Sequence, residues 1–257
     1  MKNIINIKNL NYKIFNNFNL LIEKNSFIAL SGPNNCGKTT LMRILNGEKE
    51  RNIPIEILGK GLNDYKLGQY GSIIQSLFPL DVNFQETNLE EELKVHKINI
   101  LDEETNYILK SLNLKKILKN KFTEMTTREI ILCQLSLILL KRPKIILIDE
   151  LSSYMDYKDV IKIIKFLKEY QRKRNITIIY TTVNLEEIID FDYLYIINNG
   201  QLLIEGKPLE VLQNDNLLNR IGLKIPFMID LSVKLKDYEL LSDIEITPEG
   251  MVDRLWK

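Results

Sequence analysis

The chain has 257 residues, of which 45% are hydrophobic, and its 35 lysines and arginines nearly balance its 34 aspartates and glutamates. This length is enough for one large α/β domain with a small appendage. The net charge of +1 gives no electrostatic reason to expect nucleic acid as a partner. The two cysteines, Cys36 and Cys133, suggest neither a disulfide framework nor a metal-ligand cluster, which indicates a reducing compartment.

No membrane-targeting signal is evident in the sequence. The N-terminus alternates polar and apolar residues and does not show the apolar core of a signal peptide. The longest apolar run, residues 130–140, is about half of a membrane span and contains Gln134 and Ser136. We therefore expect any membrane association to pass through another chain.

The first elements predicted along the chain lead into a glycine-rich loop. Alternating apolar residues between 3 and 31 predict antiparallel strands, and the run 27–30 predicts a strand directly before the loop. Residues 32–39 fit the pattern G-x-x-x-x-G-K-[ST] without a mismatch, and a helix-like segment, 40–45, follows. A strand, a loop and a helix in this order predict a phosphate-binding loop.

The chemistry of such a loop assigns roles to its residues. We predict nucleotide binding by Gly32, Pro33, Asn34, Asn35, Cys36, Gly37, Lys38, Thr39 and Thr40. Backbone N–H groups of the loop and of the helix N-terminus converge on phosphate oxygens, and Lys38 adds a charge near the β- and γ-phosphates. The Thr39 hydroxyl is a ligand for Mg²⁺. Asn35 occupies a position that is often glycine, and asparagine tolerates the positive φ that the loop needs.

The middle of the chain changes from turns to helices. The pattern of residues 53–74 predicts strands and turns, with turns marked by Gly59, Gly61, Gly68 and Gly71. From about residue 84 to residue 140 the apolar spacing is helical, and the glutamates at 90–92 fall in an early helical turn.

A second strong motif follows this helical region. Residues 145–148 form a continuous apolar run, which is typical of a parallel strand covered on both faces, and Asp149 and Glu150 end it. In an open α/β sheet this end lies beside the phosphate loop. We therefore expect Asp149 to hold Mg²⁺ and Glu150 to orient the attacking water.

Three further elements complete the predicted domain. The spacing of Val160, Ile163 and Leu167 predicts an amphipathic helix, and residues 176–180 predict another buried strand. Residues 193–204 predict a hairpin that turns at Asn198-Asn199-Gly200.

Over roughly residues 3–212 these motifs resemble the ATP-binding subunits of ABC transporters. Residues 151–156 follow Glu150 in a run similar to the family's D-E-P-T-S-G-L-D, with Asp156 at its last position. The resemblance makes Gln75 the glutamine that senses Mg²⁺ and the attacking water and faces the membrane partner. It also puts Tyr12 where the family stacks an aromatic ring on adenine. An ordinary loop amide and an ordinary strand aromatic remain the alternatives for these two residues.

The resemblance implies a fold and a domain division. It implies an α/β, P-loop ABC-type nucleotide-binding domain over residues 1–212, with an antiparallel β subdomain and a helical subdomain at about 81–142. Residues 213–257 would form a C-terminal dimerisation extension, because residues 217–235 resemble the tail of ATPase subunits in energy-coupling-factor (ECF) transporters. A helical cap folded on its own domain is the alternative, and Trp256 receives no role.

Two departures from the family pattern bear on activity. Where the family has L-S-G-G-Q, this chain has Met125-Thr126-Thr127-Arg128-Glu129. In the family the two glycines let the backbone approach the γ-phosphate bound on the opposite subunit. This chain has the side chains of Thr127 and Arg128 at those two positions. Thr126 has a hydroxyl where the family has that of serine, and the Arg128 guanidinium could contact a phosphate itself. Val183 aligns with the family's switch histidine and cannot replace it. His96, the only histidine, is expected to be an ordinary helix residue.

Taken together, the residues and the resemblance predict an ATPase, with ATP and Mg²⁺ as cofactors, at the cytoplasmic face of the membrane. It would energise an ECF-type importer of vitamins or metal ions. Its expected partners are a second ATPase subunit, a membrane-embedded coupling subunit and a substrate-binding membrane subunit, with no nucleic acid. Two alternatives remain: a regulatory subunit that binds ATP while its partner hydrolyses it, and an ABC protein outside transport.

Overall fold

The computed structural model describes residues 2–48 and 53–255, and each structural statement below concerns these residues. Trp256 lies outside them. The described residues form ten strands: β1 Asn3–Tyr12, β2 Phe15–Glu23, β3 Phe27–Ser31, β4 Ile55–Ile57, β5 Lys60–Gly61, β6 Ile74–Leu77, β7 Ile145–Asp149, β8 Thr177–Thr182, β9 Tyr193–Asn198 and β10 Gln201–Gly206. The α-helices are α1 Lys38–Leu45, α2 Leu67–Ile73, α3 Leu89–Val95, α4 Glu103–Ser111, α5 Thr127–Leu140, α6 Tyr157–Arg174, α7 Pro208–Leu212, α8 Asp215–Arg220, α9 Phe227–Asp237 and α10 Pro248–Leu255.

The strands form two sheets. A six-stranded sheet has the order β10-β9-β3-β8-β7-β6, in which the neighbours from β9 to β6 run parallel and β10 is antiparallel. A four-stranded sheet has the order β2-β1-β4-β5, and all of its pairs are antiparallel. This arrangement confirms the predicted P-loop α/β fold with an antiparallel β subdomain.

The central strands are buried because both of their faces are covered. Every residue of β3, β7 and β8 is buried, in agreement with their unbroken apolar or small-residue sequences. Strands β3, β7 and β8 lie side by side, so their carboxyl ends reach the same edge of the sheet. The phosphate loop follows β3, and the two acidic residues follow β7, which brings both motifs to one edge.

The helical segment between β6 and β7 contains α3, α4 and α5, as the sequence predicted. The apolar run at 130–140 is part of α5, a helix with most of its side chains buried in the core. No helix among the described residues is both long and apolar enough to cross a bilayer. His96 ends α3, and its Nε2 atom lies 3.3 Å from Glu92 Oε1, as expected for an ordinary helix residue.

One predicted region is wrong in part. The segment before β6 was expected to contain strands and turns, but it contains the helix α2, which includes Gly68 and Gly71. Tyr70 explains the helix, since its ring is buried and its hydroxyl donates a hydrogen bond to the carbonyl of Leu45 at the end of α1. Tertiary packing therefore overrides the low helix propensity of the two glycines.

The C-terminal segment forms the short helices α8, α9 and α10 after the parallel sheet is complete. Part of it packs on the main core, through the buried side chains of Leu218, Leu223 and Ile229. Other large apolar side chains in this segment are exposed, namely Phe227, Tyr238, Leu240 and Val252.

Candidate functional site

The phosphate loop connects β3 to α1, and its conformation leaves no room for a side chain at two of its positions, Gly32 and Gly37. A Cβ atom on Gly32 would lie 2.0 Å from the Ile197 carbonyl oxygen, so no side chain fits there. Gly37 has a φ of 114°, and a Cβ atom on it would lie 2.9 Å from the Phe15 ring. Asn35 adopts a φ of 62°, which confirms the expectation that asparagine sustains the left-handed turn of the loop.

The loop borders an open cavity of about 580 Å³. Its lining residues are Lys13, Ile14, Asn34, Asn35, Gly37, Lys38, Thr39, Thr40 and Glu150. The size falls within the range of small-molecule sites. Six of the predicted nucleotide-binding residues therefore face the cavity, whereas Gly32, Pro33 and Cys36 shape the loop behind it. The Cys36 thiol is buried, and burial raises its pKa, so this cysteine is not a reactive thiolate.

The Lys38 ammonium group is held inside the loop. Its Nζ atom donates hydrogen bonds to the carbonyl oxygens of Gly32 at 2.8 Å and Pro33 at 3.0 Å, and it lies 3.5 Å from Glu150 Oε1. Only 4% of the side chain is exposed. The positive charge is thus fixed at the floor of the cavity, where anionic oxygens can exchange with the two neutral carbonyls.

Thr39 and Asp149 meet where β7 ends. Thr39 Oγ1 donates a hydrogen bond of 2.9 Å to Asp149 Oδ2, and Thr181 Oγ1 donates another to Asp149 Oδ1. Both hydroxyls orient the carboxylate, which is buried at the edge of the sheet. Mg²⁺ in nucleotide sites takes one or two protein oxygens and completes its shell with phosphates and water. The oxygen donors of Thr39 and Asp149 fit that requirement.

Glu150 leaves the strand in a strained conformation that aims its side chain at the cavity. Its φ is 46° and its ψ is 60°, in the left-handed region that non-glycine residues rarely adopt. Its backbone N–H donates to the Thr181 carbonyl at 3.1 Å, which fixes this turn to β8. The carboxylate lines the cavity and is partly exposed, so it has access to a water molecule beside a bound phosphate.

Gln75, predicted to act at this site, lies on β6, the edge strand of the six-stranded sheet. It pairs with Ile146, three positions before the level of Asp149. Its side-chain Nε2 donates to the carbonyls of Gly71 and Ile74. The strand continues to Leu77, and Phe78 is the next residue, where the chain leaves the sheet. The role of Gln75 at the metal and the attacking water therefore stays a prediction.

The predicted adenine contact, Tyr12, lies beside the cavity lining and stays a prediction. Tyr12 is half-buried at the end of β1 and packs on the core, and it is not among the cavity residues. Lys13 and Ile14 form the two-residue turn between Tyr12 and Phe15, and both face the cavity. Lys13 has a φ of 51°, which the tight turn requires. Sequence reasoning missed these two residues, although their position between two alternating strands marked them as a turn.

The segment Thr126–Glu129 starts helix α5 with reciprocal capping bonds. Thr126 Oγ1 accepts from the backbone N–H of Glu129, and Glu129 Oε2 accepts from the Thr126 N–H at 2.8 Å. The Arg128 Nε atom donates to Asp159 Oδ2 at 2.6 Å, across to the first turn of α6. This ion pair holds Arg128 beside α6. The Thr126 hydroxyl is engaged in the capping hydrogen bonds of α5.

Val183 follows β8 and is partly exposed. Its aliphatic side chain offers no hydrogen bond at this position. Asn184 begins the next turn, and its side chain accepts from the backbone N–H of Glu186 at 3.1 Å.

Comparisons with known proteins agree with this fold. A family model described as "ABC transporter" matches residues 15–153, more than half of the chain. The energy-coupling factor transporter ATP-binding protein EcfA of Pediococcus pentosaceus is 29% identical and covers 96% of this chain and 94% of its own. The zinc import ATP-binding protein ZnuC of Ehrlichia ruminantium is 30% identical and covers 84% of this chain and 88% of its own.

The fold has close counterparts among solved structures. The structure of cbiO1 from Clostridium perfringens, described as part of the ABC transporter complex cbiONQ, superposes with a TM-score of 0.73. It is 20% identical and covers 90% of this chain and 99% of its own. The family match and these similarities confirm the resemblance that the sequence motifs indicated, and the chain belongs to the ABC transporter family, with the fold of its ATP-binding domain.

Proposed function

We propose that this chain binds Mg-ATP in the cavity and hydrolyses it slowly, as one of two ATPase subunits that energise an ECF-type importer of vitamins or metal ions. The observation that carries the proposal is the convergence of Lys38, Thr39, Asp149 and Glu150 at one edge of the sheet. Phosphoryl transfer to water requires a cation, ligands for a metal ion and a carboxylate that orients the water molecule. These four residues supply those groups.

Each group has a separate task. Lys38 neutralises charge on the terminal phosphates, and the amides of the loop hold their oxygens. Thr39 and Asp149 would hold Mg²⁺, which supplies charge stabilisation to the phosphates. Glu150 accepts a hydrogen bond from the attacking water and orients it, because its carboxylate shares the cavity with Lys38.

The ECF assignment is supported by the C-terminal extension. The ECF relative covers 96% of this chain, whereas the zinc-import relative covers 84%. The segment 227–255 exposes large apolar side chains, as a segment that pairs with a second chain would. We propose residues 213–257 as this dimerisation extension and 1–212 as the ATP-binding domain.

The assembly would place the chain at the cytoplasmic face of a membrane. It would pair head-to-tail with a second ATPase chain, most simply a paralogue with intact motifs. The helical segment would dock on a membrane-embedded coupling subunit, which in turn contacts a substrate-binding membrane subunit. ATP binding would close the pair, and hydrolysis would reopen it.

A regulatory subunit is the second candidate, and two observations favour it. Val183 offers no hydrogen bond where the family has a histidine, and Arg128 occupies the signature segment with its side chain fixed on Asp159. In that case this chain holds ATP while its partner performs hydrolysis. The intact cluster around Glu150 favours catalysis instead.

The two candidates are separated by Glu150→Gln in the complex reconstituted with the partner ATPase and the membrane subunits. On the catalytic proposal this substitution in the present chain lowers phosphate release strongly. The equivalent change in the partner provides the comparison. If only the partner's substitution stops turnover, the chain is regulatory.

A further inference from the structure

The tight turn between β1 and β2 brings a second lysine to the cavity. The turn consists of Lys13 and Ile14, which follow the end of β1 and precede Phe15. Lys13 and Lys38 both line the cavity, and Glu150 is the one carboxylate in the described lining. Two cations with one carboxylate leave an excess of positive charge, which attracts an anion.

The ammonium group of Lys13 is not held by a carboxylate. Within the part of the chain that the structure describes, no acidic oxygen lies within 4.0 Å of its Nζ atom. The Nζ atom lies 5.9 Å from the centre of the Tyr12 ring, at the outer limit of a cation–π contact. The side chain is exposed, whereas Lys38 is buried and lies 3.5 Å from Glu150 Oε1. Lys13 can therefore bind an anion without first losing a strong contact.

The backbone of the turn is fixed against the phosphate loop. A Cβ atom on Gly37 would lie 3.3 Å from Ile14 Cγ2, so the turn packs directly on the loop. A Cβ atom on Gly200 would lie 2.1 Å from the Ile14 carbonyl oxygen, and the Gly200 N–H donates to the Cys36 carbonyl at 3.0 Å. The turn, the loop and the β9–β10 hairpin are thus in mutual contact, which holds Lys13 in a fixed place at the rim of the cavity.

The local conformation does not explain a lysine at this position. Lys13 has a φ of 51°, in the left-handed region. Two-residue hairpin turns favour glycine, asparagine or aspartate where φ is positive. Lysine has no such conformational advantage, so its side chain is the feature of this residue that calls for a role.

We propose that Lys13 binds the α-phosphate of the nucleotide, at the end of the polyphosphate chain that carries the ribose. This inference rests on the proposed function, since it requires Mg-ATP in the cavity. Lys38 lies at the floor of the cavity with 4% of its side chain exposed, and it is expected to bind the terminal phosphates. The nucleoside end must then point to the open rim, where Lys13 lies. The flexible four-carbon side chain of lysine suits such a contact with a single phosphate.

The position and exposure of Lys13 set the expected effect. An exposed cation in an open cavity contributes less than a buried hydrogen bond to a charged group and about as much as a good surface ion pair. Lys13→Gln should therefore raise the Kd for Mg-ATP by about 3- to 10-fold. The Kd for Mg-ADP should rise by a similar factor, because ADP keeps the α-phosphate. The ratio of the two Kd values, variant to wild type, should shrink as salt is raised from about 50 to about 200 mM, since salt screens exposed charges.

Isothermal titration calorimetry tests the contact with three ligands: Mg-ATP, Mg-ADP and magnesium tripolyphosphate, which has no base or ribose. Lys13→Gln should weaken the binding of all three. Lys13→Arg keeps the charge and should stay within about twofold of wild type. Lys13→Gly relieves the positive φ, so it should raise the unfolding temperature and still show the loss of affinity. A structural role for Lys13 would not separate these two readouts.

Lys8→Gln is the matched control, because it removes an exposed lysine of the same strand, β1, outside the cavity lining. Its Kd values should equal those of the wild type. Unchanged ATP affinity in Lys13→Gln overturns the inference. So does a loss that is independent of salt or absent with tripolyphosphate, since either result would assign Lys13 to the base or the ribose. If the wild-type chain binds no Mg-ATP, the proposed function itself fails.

Discussion

Replacing Lys38 with alanine tests the nucleotide site most directly. In the structure the ammonium group is hydrogen-bonded to the carbonyls of Gly32 and Pro33 and lies near Glu150. Binding ATP exchanges these contacts for contacts with phosphate oxygens. The affinity lost on substitution is therefore the difference between two sets of bonds, and a sum over the phosphate contacts alone would overestimate it.

The exchange sets the expected magnitude. A hydrogen bond to a charged group contributes about 1.5–3 kcal/mol. If the exchange gains the equivalent of one such bond, Lys38→Ala costs about 1.5–3 kcal/mol, which is about 10- to 150-fold in Kd. The variant should fold normally, because alanine removes a buried charge together with its contacts.

Isothermal titration calorimetry with Mg-ATP measures this difference. Lys60→Ala serves as the matched control, since it removes a lysine from strand β5, outside the cavity lining. Thermal unfolding of each variant shows whether the fold is kept. Equal dissociation constants for the wild-type chain and Lys38→Ala would refute the assignment of the cavity as the phosphate site.

Three further predictions concern turnover, packing and pH. The isolated chain should hydrolyse ATP well below the typical enzyme rate of about 10 per second. Val183→His should raise phosphate release, and an unchanged rate would show that Val183 has no part in the reaction. Gly32→Ala should lower the free energy of unfolding by about 1–3 kcal/mol in denaturant titrations, because its Cβ would lie 2.0 Å from the Ile197 carbonyl oxygen. Gly68→Ala, in an open position of α2, should instead raise it by about 0.5–1 kcal/mol, and the reverse order would contradict the packing argument. Burial raises the pKa of Glu187 above its ordinary value of 4.5, so its contribution to stability is full below that pH and is lost as pH rises through the folded-state value. Glu187→Gln should therefore stabilise the chain more at pH 8 than at pH 5, and an equal effect at both would count against it.

The predicted residues that the structure brings together were recognised from local signals. The loop from Gly32 to Thr39 needs a strand before it and a helix after it, and both have their own apolar patterns. Asp149 and Glu150 end a continuous apolar strand. Parallel strands align their carboxyl ends, so the approach of these groups to the loop followed from topology.

The parts that the sequence did not predict depend on tertiary register. Gln75 follows two isoleucines in the sequence, and the strand continues past it to Leu77. The pairing of Leu77 with Ile148 sets which residue reaches the edge, and only the folded sheet contains that information. A shift of three residues along a strand displaces a side chain by about 10 Å.

Contacts between distant segments could not be predicted from the sequence either. The sequence suggested that the Arg128 guanidinium could contact a phosphate. Asp159, 31 residues later, binds its Nε atom at 2.6 Å through the packing of α6 beside α5. The helix α2 depends in the same way on the burial of Tyr70 against Leu45.

The two departures from the family pattern have unequal physical consequences in a head-to-tail pair. One composite site would combine Lys38 and Glu150 of this chain with the partner's signature, and it lacks only a donor at position 183. Water can replace a missing hydrogen-bond donor at little enthalpic cost. The other site would face Arg128, whose side chain is fixed by Asp159, and steric crowding has no such remedy. The site built on this chain's own loop is therefore the one expected to retain hydrolysis, while the opposite site mainly holds ATP.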